Sequence, residues 1–211
     1  MSVNDDRITT ASEPTATAAA VSPIADPAPL GLAAFALTTF LLSAANAGWM
    51  TKASGNAWLG YAFAYGGFAQ LLAGMWEFRN KNVFGATAFS TYGGFWIGLG
   101  LWALLVAPKA PSVAAANHDI AWILLAFAIF NTYMLLMATQ VNTAVFAVFL
   151  TLEATEVVLF IGGFMGNTTV TKAGGYVGVL TALVAWYTSA AGVANGLPGR
   201  IRLPVGRPLV S

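Results

Sequence analysis

Residues 120–152 read I-A-W-I-L-L-A-F-A-I-F-N-T-Y-M-L-L-M-A-T-Q-V-N-T-A-V-F-A-V-F-L-T-L, 33 residues without one charged side chain. A helix needs about 20 mostly apolar residues to cross a bilayer, so this run is too long for a single ordinary span. A polar patch interrupts it at Thr139, Gln140, Asn142 and Thr143, and reads as a tight turn. Beyond it the chain is apolar again from Val141 to about Met165, except for Glu153 and Glu156. The run therefore predicts two helices back to back, and the rest of the chain follows the same rule.

Charges leave four other long uncharged stretches, at 27–51, 53–76, 82–108 and 173–199. Each exceeds the roughly 18–20 residues of a spanning helix. The reading is an all-α integral membrane protein with six transmembrane helices, at about 30–50, 57–77, 84–107, 119–139, 142–165 and 174–196. Composition agrees. Of the 211 residues, 58% are apolar and 8% charged, against about 45–50% and about 25% in soluble domains. A net charge of +1 provides no basic field for nucleic acid. With no cysteine and one histidine, a disulfide framework is excluded and a multi-ligand metal site is not expected. No H-E-x-x-H, G-x-S-x-G or P-loop is present, so no enzyme and no cofactor are predicted.

Six spans place both termini on one side. With the N-terminus inside, the cytoplasmic segments hold Arg7, Arg79, Lys81, Arg200, Arg202 and Arg207, against Lys52, Lys109 and Lys172 outside. This excess predicts both termini cytoplasmic, in a plasma membrane. Residues 1–25, rich in Ala, Thr, Ser and Pro, read as a disordered tail. Residues 26–197 read as a six-helix transmembrane domain and 198–211 as an irregular cytoplasmic tail. Asn167-Thr168-Thr169 has the form of a glycosylation acceptor.

Small residues recur at four-residue spacing: Gly94/Gly98, Gly162/Gly166 and Gly174/Gly178. Inside lipid, close backbone approach holds helices together, within the bundle or between subunits. Glycine pairs such as Gly66-Gly67 permit bends. Trp49, Trp58, Trp76, Trp122 and Tyr176 fall near predicted helix ends and read as interfacial anchors. Tyr92 and Trp96, inside the third span, need another explanation.

Asn46, Gln70 and Asn131 lie within spans and either bond between helices or line a water-filled path; Ser90, also within a span, can bond back to its own helix. Glu153 and Glu156 stand apart. A charged carboxylate at mid-helix costs on the order of 2.5–3.5 kcal/mol on insertion scales, and two of them three residues apart should not both stay ionised in a dry site. Val145, Phe149, Leu152 and Glu156 share one helical stripe, with Glu153 near its edge. Intramembrane acids mark transport paths by default; the plainer role is a protonated pair bonded to a neighbouring helix or subunit. Glu77 should pair with Arg79 or Lys81. His118, beside Asp119, is placed in an outer loop.

Asp26-Pro27-Ala28-Pro29-Leu30-Gly31-Leu32 resembles the N-P-A-P-L-G-L signature of the acetate uptake transporter family, also called the succinate–acetate permease family. Tyr65-Gly66-Gly67-Phe68-Ala69-Gln70, Thr87-Ala88-Phe89, Tyr92-Gly93-Gly94-Phe95-Trp96 and Ala185-Trp186-Tyr187 extend the resemblance over about residues 26–205. It implies a six-helix subunit, usually hexameric, that moves acetate and in some members succinate or other short monocarboxylates. It also implies a narrow point at Phe35, Tyr92 and Leu152, with Ala185 near the path. Asp26 and the two glutamates depart from the family pattern. Asp26 still offers an oxygen to the first turn of helix one. The expected function is proton-linked acetate transport, with Asn46, Gln70 and Ser90 offering hydrogen bonds and Glu153 and Glu156 handling protons. The alternative is a channel for urea or short amides.

Overall fold

The computed structural model describes residues 24–51 and 56–210. Most of the segment read as an N-terminal tail, Lys52, and the charges at Asp5, Asp6, Arg7 and Glu13 lie outside the described residues. Six helical rods account for the fold. α1 is Ala28–Asn46. α2 runs over 58–79, as Trp58–Phe63, a π-helical turn Ala64–Ala69 and Gln70–Arg79. α3 is Val83–Leu101, prolonged by tighter and wider turns to Lys109. α4 is Val113–Ala138, α5 Thr143–Met165 and α6 Thr168–Gly196. All but α2 contain a window long and apolar enough to cross a membrane.

The 33-residue run divides where its polar patch predicts. α4 ends at Ala138, and Asn142 starts α5 by accepting a hydrogen bond from the Val145 N–H at 2.9 Å. Two starts differ from expectation. Ser112 Oγ accepts from the Ala115 N–H, so α4 begins six residues early. Asn167 Oδ1 accepts from the Thr169 and Val170 N–H groups, so α6 does too. Caps set these ends, whereas the expectation rested on charges. His118 consequently lies on α4 and not in a loop; its ring packs 5.3 Å from that of Phe164. Lys172 likewise lies on α6. The glycosylation-like asparagine has a structural task as this cap. Asp26 Oδ1 accepts from the Ala28 N–H at 2.9 Å, supporting the first turn of α1 from just outside it.

α1 packs chiefly on α6, α6 on α5, α5 on α4, and α2 on α3; the backbones of α3 and α4, consecutive in sequence, stay apart and are bridged by aromatic side chains. Close approach carries these contacts. The π turn of α2 contains Gly66, where a Cβ would stand 2.6 Å from Thr38 Oγ1 of α1. Gly166 ends α5 at φ +60°, which suits glycine. Gly174 faces Leu159 and Gly178 faces Ser43. By contrast, Gly94 and Gly98 meet nothing within the subunit. That pair does not pack this bundle. Trp58 is another correction: it is buried in the core, whereas Trp49, Trp76, Trp122 and Tyr176 are exposed. A large indole at a helix end turns inward when a neighbouring helix covers it.

The segment after α6 has no regular secondary structure, yet it is pinned across three helices. Arg202 Nη1 donates to the Ala194 and Leu197 carbonyls, and Tyr187 Oη donates to the Pro204 carbonyl at 2.6 Å. The Ala144 N–H donates to the Val205 carbonyl, and Thr143 Oγ1 to that of Arg207. The Leu209 N–H reaches the Thr139 carbonyl at 2.7 Å.

Candidate functional site

Four cavities lie in series along α1. At its C-terminal end a chamber of about 350 Å³ is lined by Asn46, Asn117, Thr168, Thr171 and Lys172 among others. Through Leu42, Asn46, Leu124 and Leu159 it adjoins a smaller hollow of about 40 Å³, which also touches Thr39, Trp96 and Glu156. On the other side lies a hollow of about 20 Å³ lined by Gln70, Phe89, Val148 and Phe149. Through Leu32 it adjoins a chamber of about 380 Å³ at the N-terminal end of α1, bounded by Asp26, Asn142, Asn195 and Val205.

Phe35, Tyr92 and Leu152 are the three residues that line both small hollows. They come from α1, α3 and α5. All are buried, and the rings of Phe35 and Tyr92 meet edge to face at 5.8 Å. Phe127 and Phe130 of α4 stack on the far side of Tyr92, at 5.9 and 5.5 Å. The α5 stripe faces this series throughout. Val145 lines the N-terminal chamber, Phe149 and Leu152 the middle, and Glu156 the 40 Å³ hollow.

A polar network fixes the Tyr92 hydroxyl. Its oxygen stands 3.0 Å from Asn131 Oδ1 and 3.3 Å from Glu156 Oε1. Asn131 Nδ2 donates to the Phe149 carbonyl at 3.0 Å and to Glu153 Oε2 at 2.7 Å. Thr132 Oγ1 donates to Glu153 Oε1 at 2.9 Å. The two glutamates thus differ: both oxygens of Glu153 are bonded, while Glu156 Oε2 is buried without a partner. Asn131, fully buried, takes the inter-helix role.

The other expected site residues divide. Asn46 borders the C-terminal chamber and the 40 Å³ hollow, and Gln70 the 20 Å³ hollow, with Gln70 Oε1 unpartnered. Ser90 lines none of these cavities; a Cβ at Gly74 would collide with its Oγ, so it faces α2 at close quarters. Ala185 is fully buried in the core around Phe35 and Leu152, also off the cavities. Glu77 pairs with neither Arg79 nor Lys81 among the described residues. It is buried and accepts from Asn80 Nδ2 at 3.1 Å, because helix packing turns it inward, where a strongly hydrated cation does not follow. Sequence reasoning missed Thr39 and Lys172. For Lys172 the available signal was the Asn167 cap, which puts it one turn into a helix.

These features define an all-helical membrane protein with two small hollows, divided by Phe35, Tyr92 and Leu152, between two larger chambers. Residues 9–206 match the GPR1/FUN34/yaaH family, and the chain belongs to it. Acetate permease A of Emericella nidulans is 41% identical over 198 residues, covering 86% of this chain and 65% of that protein. The chain thus spans just under two thirds of that fungal relative. The succinate-acetate/proton symporter SatP of Escherichia coli K12 is 35% identical over 184 residues, covering 87% of this chain and 96% of that one. A solved structure titled as the bacterial acetate channel SatP superposes with a TM-score of 0.79 at 32% identity, covering 87% of this chain and 99% of that chain.

Proposed function

We propose that this protein carries acetate, and other short monocarboxylates or succinate, across a plasma membrane by a route through each subunit. The observation that carries this reading is the pair of hollows whose linings share Phe35, Tyr92 and Leu152. The names of the relatives supply the substrate class. The end at Lys172 is the outer mouth, and both termini are cytoplasmic. Lys172 there favours anions by its charge, and Asn46 and Asn117 offer hydrogen bonds. At the constriction, apolar walls make a bare carboxylate costly. Entry of an anion into an inside-negative cell also opposes about 2.3 kcal/mol per 100 mV. The acid therefore crosses neutral, or with a proton, and Glu153 and Glu156 are the groups beside the route able to hold one. Gln70 offers the next hydrogen bond inward; Ser90 and Ala185 support the wall from behind. The subunit assembles with copies of itself as a hexamer, and the outward Gly94 and Gly98 suit a close helix contact there.

The test is labelled acetate uptake into proteoliposomes with the inside alkaline, corrected for empty liposomes. Uptake should follow the gradient and collapse with an ionophore. Protein-dependent flux indifferent to the gradient would remove the proton link. No flux above empty liposomes would remove acetate transport. Propionate should compete and urea should not; the reverse would restore the neutral-solute channel, which the relatives do not favour.

A further inference from the structure

Three residues that line the 40 Å³ hollow each carry a buried polar atom without a partner among the described residues: Thr39 Oγ1 of α1, Trp96 Nε1 of α3 and Glu156 Oε2 of α5. Their residues are 5%, 2% and 3% exposed. Buried polar groups are paired as a rule, so three orphans around one hollow ask for a shared guest. We propose that this hollow is a cradle for an undissociated carboxyl group, with Thr39, Trp96 and Glu156 as its binding residues. The proposal rests on the carboxylic-acid reading above and names the form of the acid that is recognised.

Counting protons specifies that form. The Phe149 carbonyl accepts only, so the Asn131 atom facing it is the NH2 nitrogen. Asn131 Oδ1 therefore faces Tyr92 and takes the single hydroxyl proton. For the Tyr92–Glu156 contact to be a hydrogen bond as well, Glu156 must bring its own proton on Oε1. Glu156 Oε2 is then a carbonyl-type acceptor. Trp96 N–H only donates, and Thr39 does either. A neutral –COOH offers one donor and one acceptor, which this set complements. A carboxylate offers acceptors alone and leaves Glu156 Oε2 facing another oxygen. Phe35, Leu152 and Leu159 receive the short alkyl end. By a measure of about 10–15 Å³ per water, the hollow holds roughly three waters or one two-carbon acid.

The ionisable groups around Glu156 are Tyr92 from α3 and Glu153 from its own helix. Tyr133 of α4 lies beyond Phe130. The parts of α1 and α4 that line the hollow bring none, and α6 contributes Lys172 in the adjoining chamber.

The experiment is saturation-transfer NMR of acetate on the purified protein from pH 5 to 7, a range of affinities down to millimolar being readable. The Kd in total acetate should rise about tenfold per pH unit, as the undissociated fraction falls. It should stay constant when expressed as undissociated acid. Acetamide, with a donor and an acceptor at every pH, should displace bound acetic acid from the unaltered protein. Trp96→Phe should weaken binding about tenfold at each pH, and Thr39→Val several-fold. Glu156→Leu should weaken it at least tenfold, Glu156→Gln by less. A Kd flat in total acetate, acetamide without effect, or Glu156→Gln as damaging as Glu156→Leu would each overturn the cradle. Binding with the expected pH dependence but no flux in liposomes would overturn transport and leave the cradle supported. Flux together with pH-flat binding would do the opposite.

Discussion

The two sides of the constriction are built from the same three residues and behave as different solvents. Towards Lys172, the hollow has a hydroxyl, an indole N–H and a carboxyl oxygen without partners. On the opposite side, the smaller hollow is apolar except for Gln70, whose Oε1 is likewise unpartnered. On the proposed route, a carboxyl group leaves three residues with unpartnered polar atoms and meets one on passing Tyr92. If the proposed cradle holds, the contrast puts selectivity on one face of the constriction and leaves little affinity on the other to retain the acid.

The comparison breaks most severely at Asn131. Asn131→Leu leaves Glu153 Oε2 without its partner and the Tyr92 hydroxyl with Glu156 alone, at about 1–3 kcal/mol for a buried group left unsatisfied. We expect a total loss of at least about 2 kcal/mol, seen as a lowered thermal midpoint in detergent. A midpoint like the parent's would mean that the network does not hold the polar side together. Gln70→Leu makes the Gln70 side wholly apolar. Uptake should slow about tenfold, a barrier rise of about 1.4 kcal/mol, with acetate binding in the polar hollow unaltered. Leu152→Ala thins the wall common to both sides, and propionate uptake relative to acetate should rise about fourfold, by about 0.8 kcal/mol per buried methylene. An unchanged ratio would move the size limit elsewhere. The smallest effect belongs to Thr155→Val. Thr155 also borders the polar hollow, but its hydroxyl is already bonded to the Thr151 carbonyl and to Thr181 Oγ1. Acetate binding should change less than about twofold, within the worth of one replaceable hydrogen bond. A larger loss would place Thr155 beside Thr39 as a binding group.

What could be read in advance follows from which forces are local. Uncharged length predicted six helices, because a bilayer demands such length everywhere; six are described, five of them long and apolar enough to cross a membrane. The Val145, Phe149, Leu152, Glu156 stripe was legible because helical period alone puts those residues on one face. The early starts of α4 and α6 depended on single capping side chains, Ser112 and Asn167, whose residue types also occur away from caps. The inward turn of Glu77 and Trp58, and the withdrawal of Ser90 behind the wall, depended on which helices are neighbours, which no local pattern states. The same holds for Thr39. A threonine in a span ordinarily bonds to its own helix, and only the tertiary arrangement leaves this one without a partner. Phe35, Tyr92 and Ala185 came from family resemblance and not from spacing.

The pinned segment after α6 bears on how such a route can open. It is tied to α6 by Arg202 and Tyr187, to the start of α5 by Ala144 and Thr143, and to the end of α4 by Thr139. A hoop fastened to three successive helices makes their ends move as one coordinate. Separating any two of them at that end breaks several backbone bonds at once. The seam between α3 and α4 is joined differently, by the Tyr92–Asn131 hydrogen bond and by aromatic rings. The hoop thus makes one end of α4, α5 and α6 a single body, while α3 is held to α4 by side chains alone, where Tyr92 and Phe95 meet Phe127 and Phe130.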